Sequence, residues 1–281
     1  MNGKGVRKPP NQRSVPGWVE QADRCRAPGE YRRAERLYQK ALVASEQTFG
    51  RDAVEVAVLL NSLGVACKYS GRFREAGRHY RRALGIFARL PVSDPAALAA
   101  LYHNLGGLEH ARGRFAQGEP FARRSVALRE RALGPRHPDV AADLAALAAL
   151  VDGEGKYDEA ERLYRRALAI FRHCFGPSHY EVAVNLNNLA ALHQTRGDYA
   201  RALRLYRQAL AMKERLLGLV HPDVGITCNN LASLYNARGQ DAMSLPLYRR
   251  ALVIFETALG RGHPHSRICR ENLAQLPVPP K

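Results

Sequence analysis

The chain has 281 residues, 46% of them hydrophobic, which is enough apolar material for a sizeable core and excludes a wholly disordered polymer. Its 43 Lys and Arg against 26 Asp and Glu give a formal charge of +17, so nucleic acid and anionic membranes have to be weighed as partners. No run of about 18 apolar residues occurs, which excludes a membrane-spanning helix.

Residues 1–16 form a basic, proline-containing stretch with Lys4, Arg7, Lys8 and Arg13 and no acid. It lacks the apolar segment of a secretory signal and is expected to be a disordered tail. From residue 17 to residue 276 the chain repeats itself. Gly29, Gly71, Gly113, Gly155, Gly197 and Gly239 recur at a constant spacing of 42 residues. An aromatic follows two positions after five of them (Tyr31, Phe73, Phe115, Tyr157, Tyr199). A small residue follows at the fifth position (Ala34, Ala76, Gly118, Ala160, Ala202, Ser244), and at the ninth Tyr38, Tyr80, Ala122, Tyr164, Tyr206 and Tyr248.

Each unit reads as two amphipathic helices. First helices are expected near 18–27, 53–70, 94–112, 138–154, 180–196 and 222–238, and a solitary capping helix near 264–275. In the fifth unit Val182, Leu186, Leu189, Ala190 and His193 fall on one stripe of a 3.6-residue helix. Gly197 ends it, because the left-handed conformation of a helix C-terminus carries no strain in glycine. The second helix carries Ala202, Leu205, Tyr206, Ala209 and Leu210 on its stripe. The small residues allow close approach and Tyr206 fills the space beside them. His137-Pro138-Asp139 and His221-Pro222-Asp223 read as helix starts, with Pro at the first position and Asp complementing the dipole. Asp94 before Pro95 is an expected N-cap. Pro120 and Pro246 fall inside second helices, where a kink or a late start is expected. Residues 277–281 form a Pro-rich tail.

Five cysteines, Cys25, Cys67, Cys174, Cys228 and Cys269, form no CxxC pair. They read as small buried residues of a reducing compartment, which points to the cytoplasm.

The frame of Leu-Gly or Leu-Ala, then Gly-x-Tyr, Ala, Tyr and Ala-Leu resembles the tetratricopeptide repeat. With LNNLA at 186–190, LYRRALAI at 163–170 and LGxxHPDV at 133–140 and 217–224, it is similar to the 42-residue type of kinesin light chains. The resemblance implies an all-α fold: a right-handed superhelical solenoid of six antiparallel helix pairs and a cap. It also implies that first helices line a concave groove that grips a peptide or disordered segment.

Two ladders of residues mark that groove. Ten positions before each glycine stand Asn61, His103, Ala145, Asn187 and Asn229. Nine before stand Ser62, Asn104, Ala146, Asn188 and Asn230, with Asn272 keeping the register in the cap. An asparagine carries donor and acceptor on one short arm and can bond a peptide backbone. Relatives use asparagines at these places for peptides, but bonding between neighbouring helices is the equal alternative. Asn188 and Asn230 are the best placed, with Gln194, Ser233 and Asn236 on the same faces. Ala145, Ala146 and Ala149 make an apolar patch in the fourth unit.

The paired arginines Arg81-Arg82, Arg123-Arg124, Arg165-Arg166 and Arg249-Arg250, with Arg207, fall on second helices and read as a solvated outer stripe whose stems cover apolar surface. The alternative function is an electrostatic binder of RNA or acidic proteins through that face. The tyrosines stand at packing places rather than as exposed stacking platforms, so nucleic acid is not the expected partner. His137, His179, His221 and His263 recur once per repeat, too far apart to share a metal, and read as turn or cap residues. Cys174, between His173 and His179, sits at a helix end without the setting of a nucleophile. No catalytic motif, metal site, cofactor or small-molecule substrate is expected. The predicted partner is a protein or peptide, with weak self-association through an array end as a further option.

Overall fold

The structure, a computed structural model, describes residues 14–26, 30–90 and 94–276. Among them it contains thirteen helices and no strand. Two compact units meet in sequence between Pro135 and Arg136. Gly29, residues 1–13 of the tail expected at 1–16 and the tail expected at 277–281 lie outside the described residues, while Val15 and Pro16 of the first tail are helical.

The first unit holds α1 (Val15–Arg26), α2 (Tyr31–Phe49), α3 (Val54–Tyr69), α4 (Phe73–Arg89), α5 (Pro95–Ala111) and α6 (Phe115–Leu133). Each odd-numbered helix packs along its successor, and the pairs stack through α2 on α3 and α4 on α5. One core runs through the unit, with Tyr38, Leu63, Tyr80 and Leu101 fully buried. Helix α1 begins earlier than the expected residue 18, so that Val15 and Pro16 form its first turn. Pro16 is tolerated there because a first-turn N–H has no helical acceptor.

The second unit holds α7 (Pro138–Gly153), α8 (Tyr157–Phe175), α9 (Tyr180–Thr195), α10 (Tyr199–Leu217), α11 (Pro222–Ala237), α12 (Asp241–Leu259) and α13 (Pro264–Ala274). The same pairing holds, and α13 covers α11 and α12. Tyr206 packs with Ala190, Ala202, Leu231 and Leu234. Tyr248 and Phe255 pack with Val224, Cys228 and Cys269. Burial pushes the Cys228 and Cys269 thiols up to about 11, consistent with inert packing residues. Cys174 departs from the expected pattern. It is exposed, with its Sγ 3.3 Å from the Arg136 carbonyl, because the end of α8 is open to solvent.

Gly197 has φ +80° and lets the Asp198 N–H reach back to the His193 carbonyl at 2.9 Å. That six-to-one bond closes the C-terminus of α9. At the other end, α7, α9, α11 and α13 are each closed by a histidine. The Asp139 N–H donates to His137 Nδ1, Glu181 to His179, Asp223 to His221 and His265 to His263, at 3.2, 3.3, 3.2 and 3.2 Å. Asp94 does the same for α5, accepting from the Ala96 N–H at 2.9 Å. The His-Pro-Asp sequence is therefore a cap, a first-turn proline and a dipole partner in that order. Each imidazole must be neutral at Nδ1 to accept. We expect His221→Ala to cost about 1 kcal/mol of stability and His221→Asn nearly nothing. Denaturant unfolding of the two variants checks this, and equal midpoints would remove the capping role.

The late start expected at Pro120 and Pro246 does not occur. Helices α6 and α12 begin at the same register position as α8 and α10 and run unbroken through both prolines. Both prolines are exposed, and the carbonyls they leave without a donor belong to exposed Ala116 and Ala242. The lost bond is thus on the solvent side, where water can take it.

Candidate peptide-binding face

The helix period places Val184, Asn188 and Ala191 in one stripe along α9, and Ile226, Asn230 and Ser233 in the matching stripe of α11. Ile268 and Asn272 continue the register on α13, with Ile268 46% exposed. Helices α7, α9, α11 and α13 touch in succession. The face of the second unit therefore carries an aliphatic row, an amide row and a row of small residues side by side. Ala145, Ala146 and Ala149 on α7 extend it as a smooth, partly exposed patch.

The amides are largely committed to one another. Asn104 Nδ2 donates to Asn61 Oδ1 at 2.9 Å in the first unit. Asn230 donates to Asn187 at 3.5 Å, and Asn272 to Asn229 at 3.2 Å, in the second. Each bond joins residues 43 apart, one more than the repeat, so the ladder nine places before a glycine donates to the ladder ten places before the preceding glycine. The amides thus knit consecutive first helices together. Gln194 is held similarly, donating to Ser233 Oγ at 3.4 Å and accepting from the Tyr206 hydroxyl at 3.2 Å. Asn187 is only 7% exposed.

Asn188 is the exception. Ala145 stands where its acceptor would be, and its half-buried side chain has no hydrogen-bond partner among the described residues. Asn236, also half-buried, lies lower on α11 and is likewise without a side-chain partner there.

Charge is segregated by helix. Helices α7, α9 and α11 contain no Lys or Arg. Their acids are Asp139, Asp143, Asp152, Glu181 and Asp223. Burial raises the Asp152 carboxyl and, against a lesser opposing effect of His179, that of Glu181. Asp223 accepts a 2.5 Å bond from the Tyr180 hydroxyl. The repeated arginine pairs lie on the second helices and are partly neutralised there, by Arg82–Glu46 at 2.5 Å, Arg165–Glu161 at 2.6 Å and Arg250–Glu214 at 2.6 Å.

Models of the tetratricopeptide repeat match residues 19–89, 97–173, 153–215 and 224–265. The chain belongs to the tetratricopeptide repeat family. Its architecture is that of a protein-interaction scaffold. Among solved structures, this tetratricopeptide repeat protein is similar to BtubC (BKLC) from P. vanneervenii, at 24% identity over 95% of both chains and a TM-score of 0.59. It is also similar to the nearly identical TPR-like repeats of a protein from Podosopora anserina assigned as a kinesin light chain, at 22% identity, 72% and 95% coverage and a TM-score of 0.60. A STAND protein with a tetratricopeptide repeat sensor from Pyrococcus horikoshii matches at 13% identity over 92% of this chain and 38% of its own, with a TM-score of 0.66. No curated protein matches the sequence. No helix of the described residues is long and apolar enough to cross a membrane.

One cluster of potential metal ligands exists among the described residues: Glu35, Cys67 and Glu75, with ligand atoms within 4.8 Å of one another. The Arg72 guanidinium already supplies its positive charge, pairing with Glu35, with Glu75 at 3.0 Å, and reaching Cys67 Sγ at 3.7 Å. Burial pushes the Cys67 thiol up to about 11, away from the thiolate that a metal needs.

Proposed function

We propose that this chain holds an extended peptide or disordered segment on the first-helix face of its second unit, with Asn188 as the residue that bonds the segment's backbone. The observation that carries this reading is the vacancy in the amide ladder. Asn188 keeps a free donor and acceptor where its equivalents are spent on one another, and it stands between Val184 and Ala191. A bound backbone would take the place of the missing neighbour. The aliphatic row of Val184, Ile226 and Ile268 would receive alternate apolar side chains, since an extended chain points them to one side every second residue. Helices α7, α9 and α11, bearing acids and no Lys or Arg, favour neutral or basic segments over acidic ones.

The test begins with a pull-down from the source cell, with and without nuclease and at two salt concentrations. It is followed by titration of the purified partner. Asn188→Ala is expected to weaken binding about tenfold, the worth of one or two backbone hydrogen bonds, with no change in thermal midpoint. Asn230→Ala is expected to lower stability as well, by about 1 kcal/mol, because it strips the donor from buried Asn187. A partner retained equally by Asn188→Ala would remove this face from the function.

A further inference from the structure

The second unit contains a cavity of about 550 Å³ on the side of the second helices, between α8 and α10, with α9 as its floor. Leu168, Leu186 and Leu189 form the apolar base, and Arg172, Arg204 and Gln208 stand at the mouth. Arg165 and Arg201 also reach the opening but are already paired, with Glu161 at 2.6 Å and Asp198 at 3.2 Å. Arg172 and Arg204 have no ion-pair partner among the described residues.

The repeat register shows why this charge is uncompensated. Seventeen positions after the turn glycines stand Glu46, Ala88, Glu130, Arg172, Glu214 and Glu256. Eleven positions after them stand Lys40, Arg82, Arg124, Arg166, Gln208 and Arg250. Where both places keep the common residues within one unit, they form the ion pair between consecutive second helices: Glu46 with Arg82 at 2.5 Å and Glu214 with Arg250 at 2.6 Å. Between α8 and α10 the acid has become Arg172 and the base Gln208. The carboxylate is missing, its guanidinium partner is replaced by an amide, and a cation is added on the other side. Ala88 opposite Arg124 also lacks the carboxylate, but only at Arg172 has the acid become a base, and the cavity lies at that step.

From this we infer that the cavity is a binding site for a small amphiphilic carboxylate, such as a medium-chain fatty acid. The acid group would sit between Arg172, Arg204 and Gln208, in place of the absent glutamate, and the hydrocarbon would lie on the leucine floor. The planar guanidinium fork meets a carboxylate with two parallel N–H donors. The volume falls within the range of about 300–1,000 Å³ common to small-molecule sites. The site faces away from the amide ladder and does not depend on the peptide reading.

The decisive measurement is calorimetric titration of the full chain with decanoate below its micelle-forming concentration. Acetate serves as the head group alone and decyltrimethylammonium as the tail with opposite charge. The expected result is one saturable site for decanoate and none for either control. The double change Arg172→Glu with Gln208→Arg rebuilds the ion pair of the neighbouring repeats, so it is expected to fold with an undiminished thermal midpoint and to weaken decanoate at least tenfold. Arg172→Gln, a change at an exposed side chain, is expected to weaken it several-fold and keeps the question open to decision should the double variant misfold. Absence of saturable binding, equal affinity in Arg172→Gln, or equal binding of decyltrimethylammonium would each overturn the assignment.

Discussion

Replacing Tyr206 by alanine is expected to remove about 3–5 kcal/mol of stability, and Tyr206→Phe about 1 kcal/mol. Tyr206 is 1% exposed and lies where α9, α10 and α11 meet, against Ala190, Ala202 and Leu231. Its ring fills the space beside the small Ala190 and Ala202, next to Leu231, Leu234 and Tyr235, so truncation opens a cavity among them. Its hydroxyl donates to Gln194 at 3.2 Å, and Gln194 in turn donates to Ser233 on α11. The phenylalanine variant isolates that polar chain from the ring. Burial raises the phenol well above its ordinary range, so the donor stays protonated at every pH of interest. In a repeat array each pair is stabilised mainly by its neighbours. The loss is therefore expected to show first as faster hydrogen exchange in α9 and α11. Equilibrium unfolding of both variants provides the numbers, and a deficit under about 1.5 kcal/mol for Tyr206→Ala would mean that the site collapses around the gap.

The third pair shows the same place filled differently. Ala122 stands there, with Gly118 in the small position, and both are buried. The neighbouring Phe121 supplies an aromatic instead, stacking on Tyr102 with ring centroids 6.2 Å apart. The departure from the repeat is therefore compensated one position along the same helix.

The helix pairs, their turns and their caps were legible because each has a local cause. A 3.6-residue stripe, a glycine at positive φ and a His-Pro-Asp start all act within a few residues, and the period of 42 multiplies the signal. The amide ladder was legible as a set of positions but not as a set of bonds. Its donors and acceptors are offset by 43 residues, and only the stacking of first helices shows which amides face each other. That offset is also what separates Asn188 from Asn230: they are alike in sequence, but Ala145 precedes one and Asn187 the other. The prolines misled for a related reason, since the cost of Pro120 and Pro246 depends on which side of the helix loses a bond. The cavity at Arg172 did leave a trace, an arginine where four other units carry glutamate, but a charge reversal on an outer helix acquires meaning only once Gln208 is seen opposite it.

Gly64 is the second position at which a small change is expected to have a large effect. Seven places before the turn glycine stand Gly64, Gly106, Ala148, Ala190 and Ala232. The three alanines are completely buried and coexist with tyrosines on the paired helix. At Gly64 the arrangement is closer: a Cβ there would lie 2.2 Å from Tyr80 Cε1 and 2.5 Å from Cδ1. Tyr80 is fully buried and cannot swing into solvent, and its hydroxyl makes no hydrogen bond among the described residues. Gly64→Ala is therefore expected to destabilise the protein by about 1–3 kcal/mol through overpacking. This happens although alanine is intrinsically the better helix residue by roughly 0.5–1 kcal/mol. The two contributions can be separated. With Tyr80→Ala in place the obstruction is gone and only the helix preference remains, so the same Gly64→Ala change is expected to stabilise. A double-mutant cycle by denaturant unfolding should then give a coupling on the order of 2 kcal/mol. At Gly106, where Ala122 replaces the tyrosine, an added Cβ meets its nearest neighbours at 3.4 Å. Gly106→Ala is accordingly the internal control and should cost far less than Gly64→Ala. Equal effects at the two glycines would show that α3 and α4 can separate to admit a methyl group, and the close approach of Tyr80 would then carry no energetic weight.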